Sequence, residues 1–554
     1  MTDHSSRDYE RARNLSVEMT RWASVTGSDG EAEFASRLRA LMAELPYFAA
    51  NPDHLFSFDT HGTPPRQNLC ALVRGTGSRT IVLAGHYDTV SIANYGQLAD
   101  LATEPEELTE TLILELTARK GRTEAEERTL QDLTSGDFLP GRGLLDMKSG
   151  LAAGIVALER FASLDERAGN LLFVATPDEE NRSRGMIALR DRLPEIAKKL
   201  GLEIVGGINL DSTSDEGDGS EGRAVYLGSV GKFSPFAFVV GRPTHAGYAY
   251  QGVSAHLIAA QLVSLMEFNE ALTDDAHGEL SPPPVLLEGR DVRHGYEVTT
   301  PAHVWLSFNW LTHRRKATEL LGEFCGFADT AMADALEWQA QNAARYHTRL
   351  GKPRPAVPEG EVLTYGALRE RVRQAGGETA LKALEAREKE LAAENDQLAV
   401  SRELVALAVK LARLEGPAVI TGFSSLHYPM VHCSMHGEAG ERFARRLRLA
   451  IGEIERRHET RIAVKQFFAG ISDMSFFGHR PVTTHADFVA ANTPAAMLAD
   501  HPPAEALSFP VANIGPWGRD YHQKWERVHA PYTFGVLPDL VYEAAMTCLA
   551  DDGA

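Results

Sequence analysis

Three apolar segments of this chain run into side chains that could bind a metal ion. These segments and the residues that follow them are TIVLAG (80–85) with His86 and Asp88, NLLFVAT (170–176) with Asp178, Glu179 and Glu180, and IVGGINL (204–210) with Asp211. Imidazole nitrogens and carboxylate oxygens are ligands that zinc and similar divalent cations accept. Each residue alone also has a structural explanation, because a histidine can be satisfied in the core and acids favour a helix N-terminus.

The order of the predicted elements brings these side chains together. Strands alternate with helices, a pattern that predicts a largely parallel sheet, and the carboxyl ends of parallel strands meet at one edge. The glycine-bearing loop GRGLLDMKSG (141–150) adds Asp146 to this edge, just before a predicted helix. So many carboxylates would repel one another and resist desolvation unless a cation were bound between them. The sequence therefore predicts a metal centre.

Several motifs carry a resemblance to a known family. HYDTV, GRGLLDMKSG, PDEEN and NLD, in this order, resemble the dizinc metallopeptidase family that includes glutamate carboxypeptidase, aminoacylase and succinyl-diaminopimelate desuccinylase. GRPTHAG, GISDMSFFG and DYHQKWERV extend the resemblance, which covers about residues 15–315 and 417–550. Within this family the sequence is most similar to the arginine-utilisation, RocB-type branch. The similarity lies in the chain length, in a long helical extension and in the motif PDEENRSRGM.

The resemblance implies a centre of two divalent metal ions, with zinc as the first expectation and cobalt or manganese as alternatives. The five ligands that it implies are His86 and Asp211 for one ion, Glu180 and His522 for the other, and Asp146 as the bridge. Asp88 would orient His86, since residues two apart on a strand share a face. The strand would then deliver a ligand and its orienting carboxylate together.

The resemblance also implies the groups that act on the substrate. Glu179, beside the ligand Glu180, would be the general base that takes a proton from water and passes it to the leaving nitrogen. His245, in GRPTHAG, would stabilise the oxyanion, often across a dimer in this family. Asp473, in GISDMSFFG, would support the site without binding metal.

The last ligand must be chosen among several histidines near the end of the sequence. The family's final histidine lies in a stretch of the form H-x-x-x-E after a Gly-Pro segment. IGPWGRDYHQKWERV fits this form with His522 and Glu526. His485 and His529 are the alternatives, and each of these histidines could instead be a surface residue that binds no metal.

One part of the family pattern is missing. A strand of the smaller domain usually ends in Asp-x-Arg, whose arginine helps to bind a substrate carboxylate. Asn309 and Leu311 stand at those positions here. The residue that binds the substrate carboxylate is therefore absent or moved, with Arg314 and Arg315 as candidates, and this departure argues against simple carboxypeptidase specificity.

The predicted fold class is α/β, with a mixed, mostly parallel sheet flanked by helices and an inserted α+β lid domain that helices extend. Residues 1–222 and 417–554 are predicted as the catalytic domain, and residues 223–416 as the inserted lid or dimerisation-like domain. A helical extension is predicted at about 316–415, where three leucines at sevenfold spacing indicate either a short coiled-coil hairpin or an amphipathic helix on its own domain. Residues 103–134 are predicted as a polar, helical excursion on the surface. The long stretch between Asp88 and Asp146 that contains it, and the long smaller domain, would reshape or cover the cleft, or mediate assembly.

Composition excludes some classes of partner. The chain has 554 residues and a formal net charge of −20, so it lacks the basic excess that nucleic acids or anionic membranes attract. Its four cysteines are far apart, which predicts neither a zinc knuckle nor a disulfide framework and fits a reducing cytoplasm. No segment has the pattern of a signal peptide or a membrane span. We therefore expect a soluble cytoplasmic protein.

The leading functional hypothesis is a metal-dependent hydrolase that cleaves an amide bond in a small peptide or N-acyl amino acid. The resemblance suggests arginine catabolism as its context and a homodimer as its assembly. The alternative is a non-catalytic scaffold or regulatory member of the same fold. A serine hydrolase is disfavoured because no G-x-S-x-G elbow is present, GFSSL lacking the final glycine.

Overall fold

The structure is a computed structural model of the chain. It describes residues 3–550 except 216, 218, 294, 296, 354, 355, 357, 392–395 and 480–482. Contacts divide the chain into two units. The first unit comprises Met1–Ser229, Val431–Arg480 and Pro503–Ala554, and the second comprises Val230–Met430 and Pro481–Pro502.

The α-helices are described first. Those of the first half are α1 (Asp3–Arg21), α2 (Asp29–Ala43), α3 (Pro46–Ala50), α4 (Pro105–Ala118), α5 (Glu124–Ser135), α6 (Ser149–Ala162), α7 (Arg184–Leu200) and α8 (Ala255–Met266). Those that follow are α9 (Ala317–Arg349), α10 (Tyr365–Leu391), α11 (Gln397–Leu411), α12 (Gly437–His458), α13 (Thr483–Ala491) and α14 (Leu537–Leu549). None of the helices in the described ranges is both long enough and apolar enough to cross a bilayer.

The strands are numbered in the same way. The first eleven are β1 (Leu55–His61), β2 (Arg66–Arg74), β3 (Thr76–His86), β4 (Phe138–Pro140), β5 (Ala168–Thr176), β6 (Glu203–Asn209), β7 (Thr213–Ser214), β8 (Ala224–Tyr226), β9 (Gly228–Ser229), β10 (Gly231–Phe233) and β11 (Pro235–Val240). The others are β12 (Asp275–Ala276), β13 (Glu279–Leu280), β14 (Val285–Asp291), β15 (His303–Thr312), β16 (Glu361–Thr364), β17 (Ala418–Phe423), β18 (Val431–His432), β19 (Ala463–Lys465), β20 (Val511–Ile514), β21 (Trp517–Arg519) and β22 (Arg527–His529).

The first unit is built on an eight-stranded sheet in the order β1-β2-β5-β3-β6-β20-β8-β19. Its centre is parallel, since β3 pairs in parallel with β5 and β6, and β6 pairs in parallel with β20. These strands are apolar and buried along most of their length, which is typical of parallel strands whose two faces are both covered. Helices α1, α6, α12 and α14 contribute to the same core. The predicted α/β fold with a mixed, mostly parallel sheet flanked by helices is confirmed.

The second unit has its own sheet, in the order β10-β15-β11-β17-β16, with β14 paired to β15. The predicted boundaries at 223 and 416 differ from those that the contacts define. The segment 224–226 is strand β8, which pairs with β19 and β20 in the first unit's sheet. Conversely, β17 pairs with β11 and β16, so it belongs to the second unit and not to the catalytic domain in which the sequence analysis placed it.

The helical extension at 316–415 consists of α9, α10 and α11, with the short strand β16 between the first two. Leu384 and Leu391 are buried on α10, whereas Leu398 lies on α11, which begins after a cap at Asp396. The leucines therefore do not form one continuous heptad seam. Both helices instead contribute to a hydrophobic core with β11 and β17 of their own unit.

Candidate metal centre

The polar residues that follow β3, β5 and β6 lie together at one edge of the first unit's sheet. His86 is the last residue of β3, and its Nε2 lies 3.1 Å from Oδ1 of Asp146 and 3.6 Å from Oδ1 of Asp211. Both carboxylates and the imidazole are buried. The convergence follows from topology, because parallel neighbours end at the same edge of the sheet.

A second imidazole approaches Asp146 from the opposite end of the chain. Nε2 of His522 lies 2.9 Å from Oδ2 of Asp146 and 3.4 Å from Oε2 of Glu180. Each oxygen of Asp146 therefore faces a different histidine. The donor atoms of His86, Asp146 and Glu180 lie within 4.8 Å of one another, which is close enough for a shared metal ion.

Asp88 connects the two halves of this cluster. Its backbone carbonyl lies 3.0 Å from Nδ1 of His86, and its carboxylate Oδ1 lies 3.5 Å from the same nitrogen. The carboxylate also accepts hydrogen bonds from the backbone N–H groups of Glu179 (3.0 Å) and Glu180 (3.2 Å). Asp88 thus fixes the orientation of one imidazole and of the turn that follows β5.

The carboxyl groups of the cluster have strongly altered proton affinities. Burial, with Asp146 as a neighbouring charge, raises the pKa of Glu180 to about 7, and burial raises the pKa of Glu179 well above its usual value. Although burial opposes it, hydrogen bonds from both imidazoles hold the pKa of Asp146 below its usual range. Hydrogen bonds to Asp146 and Glu180 raise the pKa of His522 to about 10, against the effect of burial.

The donor set fits divalent cations. Oε1 of Glu180 is buried and accepts no hydrogen bond from the part of the chain that the structure describes. A buried carboxylate oxygen without a donor is costly unless a cation binds to it. Two imidazole nitrogens with several carboxylate oxygens form a set that zinc, cobalt and manganese accept.

Asp211 is held by residues that the sequence analysis did not identify. Its carboxylate accepts a hydrogen bond from its neighbour's N–H (2.7 Å) and from the hydroxyl of Ser472 (3.3 Å). Its backbone exchanges two hydrogen bonds with the side-chain amide of Asn513. That amide also accepts from Asn209, its neighbour in the β6–β20 pairing. The only local signal was an asparagine in each of two apolar strands.

Two glycines let the backbone approach closely on both sides of residues 210 and 211. A Cβ atom on Gly515 would lie 1.9 Å from the carbonyl oxygen of Asp211, and one on Gly150 would lie 2.0 Å from that of Leu210. Neither neighbour is the end of a flexible side chain. The position of Asp211 therefore depends on the absence of a side chain at both glycines.

Alanine in place of Gly515 should lower the free energy of unfolding by about 1–3 kcal/mol, because the backbone must move to admit a methyl group. The matched control is Gly452→Ala, on the exposed side of α12, where the methyl group would have no atom within 4 Å. That change should raise stability by about 0.5–1 kcal/mol, since alanine favours a helix interior. Urea unfolding measures both values, and effects of the same sign would contradict this explanation.

The remaining predicted residues lie as follows. Asp473 is buried in the first unit and accepts a hydrogen bond from Thr176 at 3.4 Å, and burial raises its pKa to about 7. His529 packs against the rings of Phe138 and Trp517, so His522 and not His529 faces Asp146.

His245 and the arginine candidates belong to the second unit. His245 is exposed and accepts a hydrogen bond from the N–H of Gly247 at 3.0 Å. Arg315 binds the carbonyl of Leu272 and lies 3.4 Å from Glu323, whereas Arg314 is exposed. His485 also lies in this unit, beside the ring of His427. The predicted oxyanion role of His245 stays a prediction.

A second group of possible ligands, Glu31, His61 and Asp178, lies in the first unit. Arginines already neutralise its acids, since Arg66 Nε donates to Glu31 at 3.0 Å and Arg184 Nη2 donates to Asp178 at 2.8 Å. Burial and these guanidinium groups lower the pKa of His61 to about 3. This group is therefore a network of ion pairs, and it supports the turn that carries Glu179 and Glu180.

The sheet of the first unit, with imidazoles and carboxylates gathered at its carboxyl edge, defines a metallohydrolase of the α/β class. Residues 124–515 match the model of the family described as peptidase family M20/M25/M40. Because this match spans more than half of the chain, the protein belongs to this family and is a metal-dependent peptidase or amidohydrolase.

Individual relatives extend the match over nearly the whole chain. The protein is 30% identical to YqjN of Bacillus subtilis over 535 residues, which are 95% of this chain and 94% of YqjN. It is 27% identical to RocB of Bacillus subtilis over 551 residues, 98% of this chain and 95% of RocB. The aminopeptidase PepT of Bacillus cereus has a similar fold, with a TM-score of 0.52 and 15% identity over 98% of this chain and 99% of PepT. The predicted resemblance, including its RocB-type branch, is confirmed.

Proposed function

We propose that this protein hydrolyses an amide bond in a small peptide or N-acyl amino acid with the help of two divalent metal ions, zinc in the first instance. The proposed ligands are His86 and Asp211 for one ion, Glu180 and His522 for the other, and Asp146 between them. One observation carries this proposal: each carboxylate oxygen of Asp146 faces a different imidazole, at 3.1 and 2.9 Å. Such a carboxylate can bridge two cations.

Divalent ions bound there would supply Lewis acidity, which polarises a carbonyl group and makes water a better nucleophile. Glu179 would be the proton carrier. Its Oε2 lies 3.9 Å from Nε2 of His86, and its buried carboxyl group has a raised pKa, so it can hold a proton in transit. Asp88 would hold the imidazole of His86 and the backbone of Glu179 in their relative positions, through the hydrogen bonds described above.

The substrate side of the proposal rests on the family resemblance. His245 would donate a hydrogen bond to the carbonyl oxygen of the substrate. The relationship to RocB supports a substrate related to arginine, and a homodimer is the assembly we expect.

A substrate panel tests the function. Purified protein with two equivalents of zinc, cobalt or manganese should release free amine from at least one class of dipeptides, tripeptides or N-acyl amino acids, including those of arginine. Removal of metal with a chelator should abolish the release, and added metal should restore it. A protein that holds both metal equivalents but cleaves no compound of the panel would favour the non-catalytic scaffold.

A further inference from the structure

The chain segment between Asp88 and Asp146 packs against the loop that carries His522. We call residues 93–135 the insertion and residues 519–527 the His522 loop. The insertion contains a 3₁₀-helical segment, Ala93–Leu101, followed by α4 and α5. Both parts belong to the first unit.

Asn94, at the start of the insertion, holds the backbone of His522. Its Nδ2 donates to the carbonyl oxygen of His522 at 2.9 Å, and its Oδ1 accepts from Nη2 of Arg142 at 3.2 Å. The same Arg142 nitrogen donates to the His522 carbonyl at 3.2 Å. The His522 N–H donates in turn to Glu526, the buried partner of Arg142. Both backbone polar groups of His522 are therefore held.

A second connection joins the far end of the insertion to both ends of the loop. Asp132, on α5, accepts hydrogen bonds from Arg519 at 2.7 and 2.8 Å and from Arg527 at 2.6 and 2.9 Å. Arg527 is fully buried and also binds Asp520. The carboxylate of Asp132 thus binds both the first and the last residue of the loop. The two arginines and the two aspartates of this cluster balance each other in charge.

The middle of the loop packs on the hydrophobic core of the insertion. Trp525 lies against a cluster whose buried members are Tyr95, Leu98, Ala102, Leu108, Leu112 and Leu133. These residues come from the 3₁₀-helical segment, the turn after it, α4 and α5. Trp525 is three residues from His522, so this packing fixes the loop close to the imidazole.

The loop needs such support because its own conformation is unfavourable. His522 and Asp520 have φ values of 61° and 52°, in the left-handed region that side chains disfavour. The side chain of His522 is also 36% exposed, whereas that of Asp146 is 5% exposed. A ligand on a strained, partly exposed loop keeps its geometry only if neighbouring residues hold the backbone.

We propose that the insertion is a positioning element of the metal centre, which holds the His522 loop through Asn94, Asp132 and the core under Trp525 and so sets the affinity for the ion that His522 binds. This inference rests on the proposed function. It favours a role inside the catalytic unit over the alternative that this stretch mediates assembly.

Asn94→Ala is the most direct test, since Asn94 is exposed and the variant should fold. We expect the affinity for one of two zinc equivalents to fall about tenfold, in the range typical for groups that hold a ligand in place. Competition between the metal-free protein and a chromogenic zinc chelator measures both affinities. The control is Gln97→Ala, which removes an exposed amide from the same segment and should leave both affinities unchanged.

A double-mutant cycle with His522→Ala separates positioning from a general effect on stability. His522→Ala should bind one tight equivalent, and Asn94→Ala added to it should change that affinity less than twofold. A tenfold loss that persists in this background, or wild-type affinities in Asn94→Ala alone, would overturn the inference. Two tight equivalents in His522→Ala would instead overturn the proposed ligand set, and this inference with it.

Discussion

Glutamine in place of Glu179 should lower kcat for amide hydrolysis by about a thousandfold while both metal equivalents stay bound. Glutamine has nearly the same size but cannot accept and release a proton at neutral pH. Burial, with the charges of Asp211 and Glu180, raises the pKa of Glu179, which favours a carboxyl group that carries a proton during turnover. Metal analysis and steady-state kinetics on the same preparation measure both parts of this prediction.

Two further variants make this result specific. Glu180→Gln, one residue along, should lose one of the two metal equivalents, because Glu180 is a proposed ligand. Glu166→Gln, the same change at an exposed position, should leave metal content and kcat unchanged. Undiminished turnover by Glu179→Gln would show that another group is the base.

Methionine in place of Arg66 should lower the free energy of unfolding by about 3–5 kcal/mol at pH 9, because it leaves a buried carboxylate without its partner. Glu31 is 0% exposed, and its Oε2 accepts from Arg66 at 3.0 Å. Burial, with Asp88 as a neighbouring charge, raises the pKa of Glu31 to about 7. Methionine keeps an apolar stem of similar length, so lost packing contributes little to the effect.

The size of this effect should depend on pH. A carboxyl group whose folded pKa is raised loses its contribution to stability as pH rises from the unfolded pKa to the folded one. In the wild-type protein this loss ends near pH 7. Without Arg66, which lowers the pKa of Glu31, the loss continues to higher pH. The deficit should be about 1–2 kcal/mol at pH 6, where the lost interactions are the hydrogen bonds of Arg66 to Glu31 and to the carbonyls of Ser28 and Pro64, and it should grow toward pH 9.

Urea unfolding of both proteins at pH 6 and pH 9 measures this difference. The double variant Arg66→Met/Glu31→Gln has no titrating group at this position, so its deficit relative to the wild type should not grow with pH. A deficit that still grows in the double variant would assign the pH dependence to another group.

Much of the metal centre could be predicted because its residues follow a rule of topology. His86, Glu180 and Asp211 come directly after apolar strands, and parallel strands present their carboxyl ends at one edge. The resemblance to the family's H-x-x-x-E stretch selected His522, and the structure brings its imidazole to 2.9 Å from Asp146. The roles of these side chains stay proposals, but the order of strands and helices predicted that the residues after the strands lie together at the carboxyl edge of the sheet.

Contacts between distant segments could not be predicted, because neighbouring residues in the sequence do not indicate them. The apolar segment 418–423 was placed in the catalytic domain by the sequence analysis, whereas the structure pairs it with β11 in the second unit. An apolar strand specifies that it will be buried and does not specify its partners. The contacts of Asn94 and Asp132 with the His522 loop join residues about 400 positions apart, and no spacing in the sequence marks them.

By itself the sequence determined the α/β class, the family and the set of chemically capable side chains, because strand and helix periodicity and short motifs are local properties of the chain. Only the tertiary structure decided which strand joins which sheet and which residues hold Asp211 and His522 in place. The physical reason is that hydrogen bonds, ion pairs and apolar packing between distant segments depend on distances that exist only after the chain has folded.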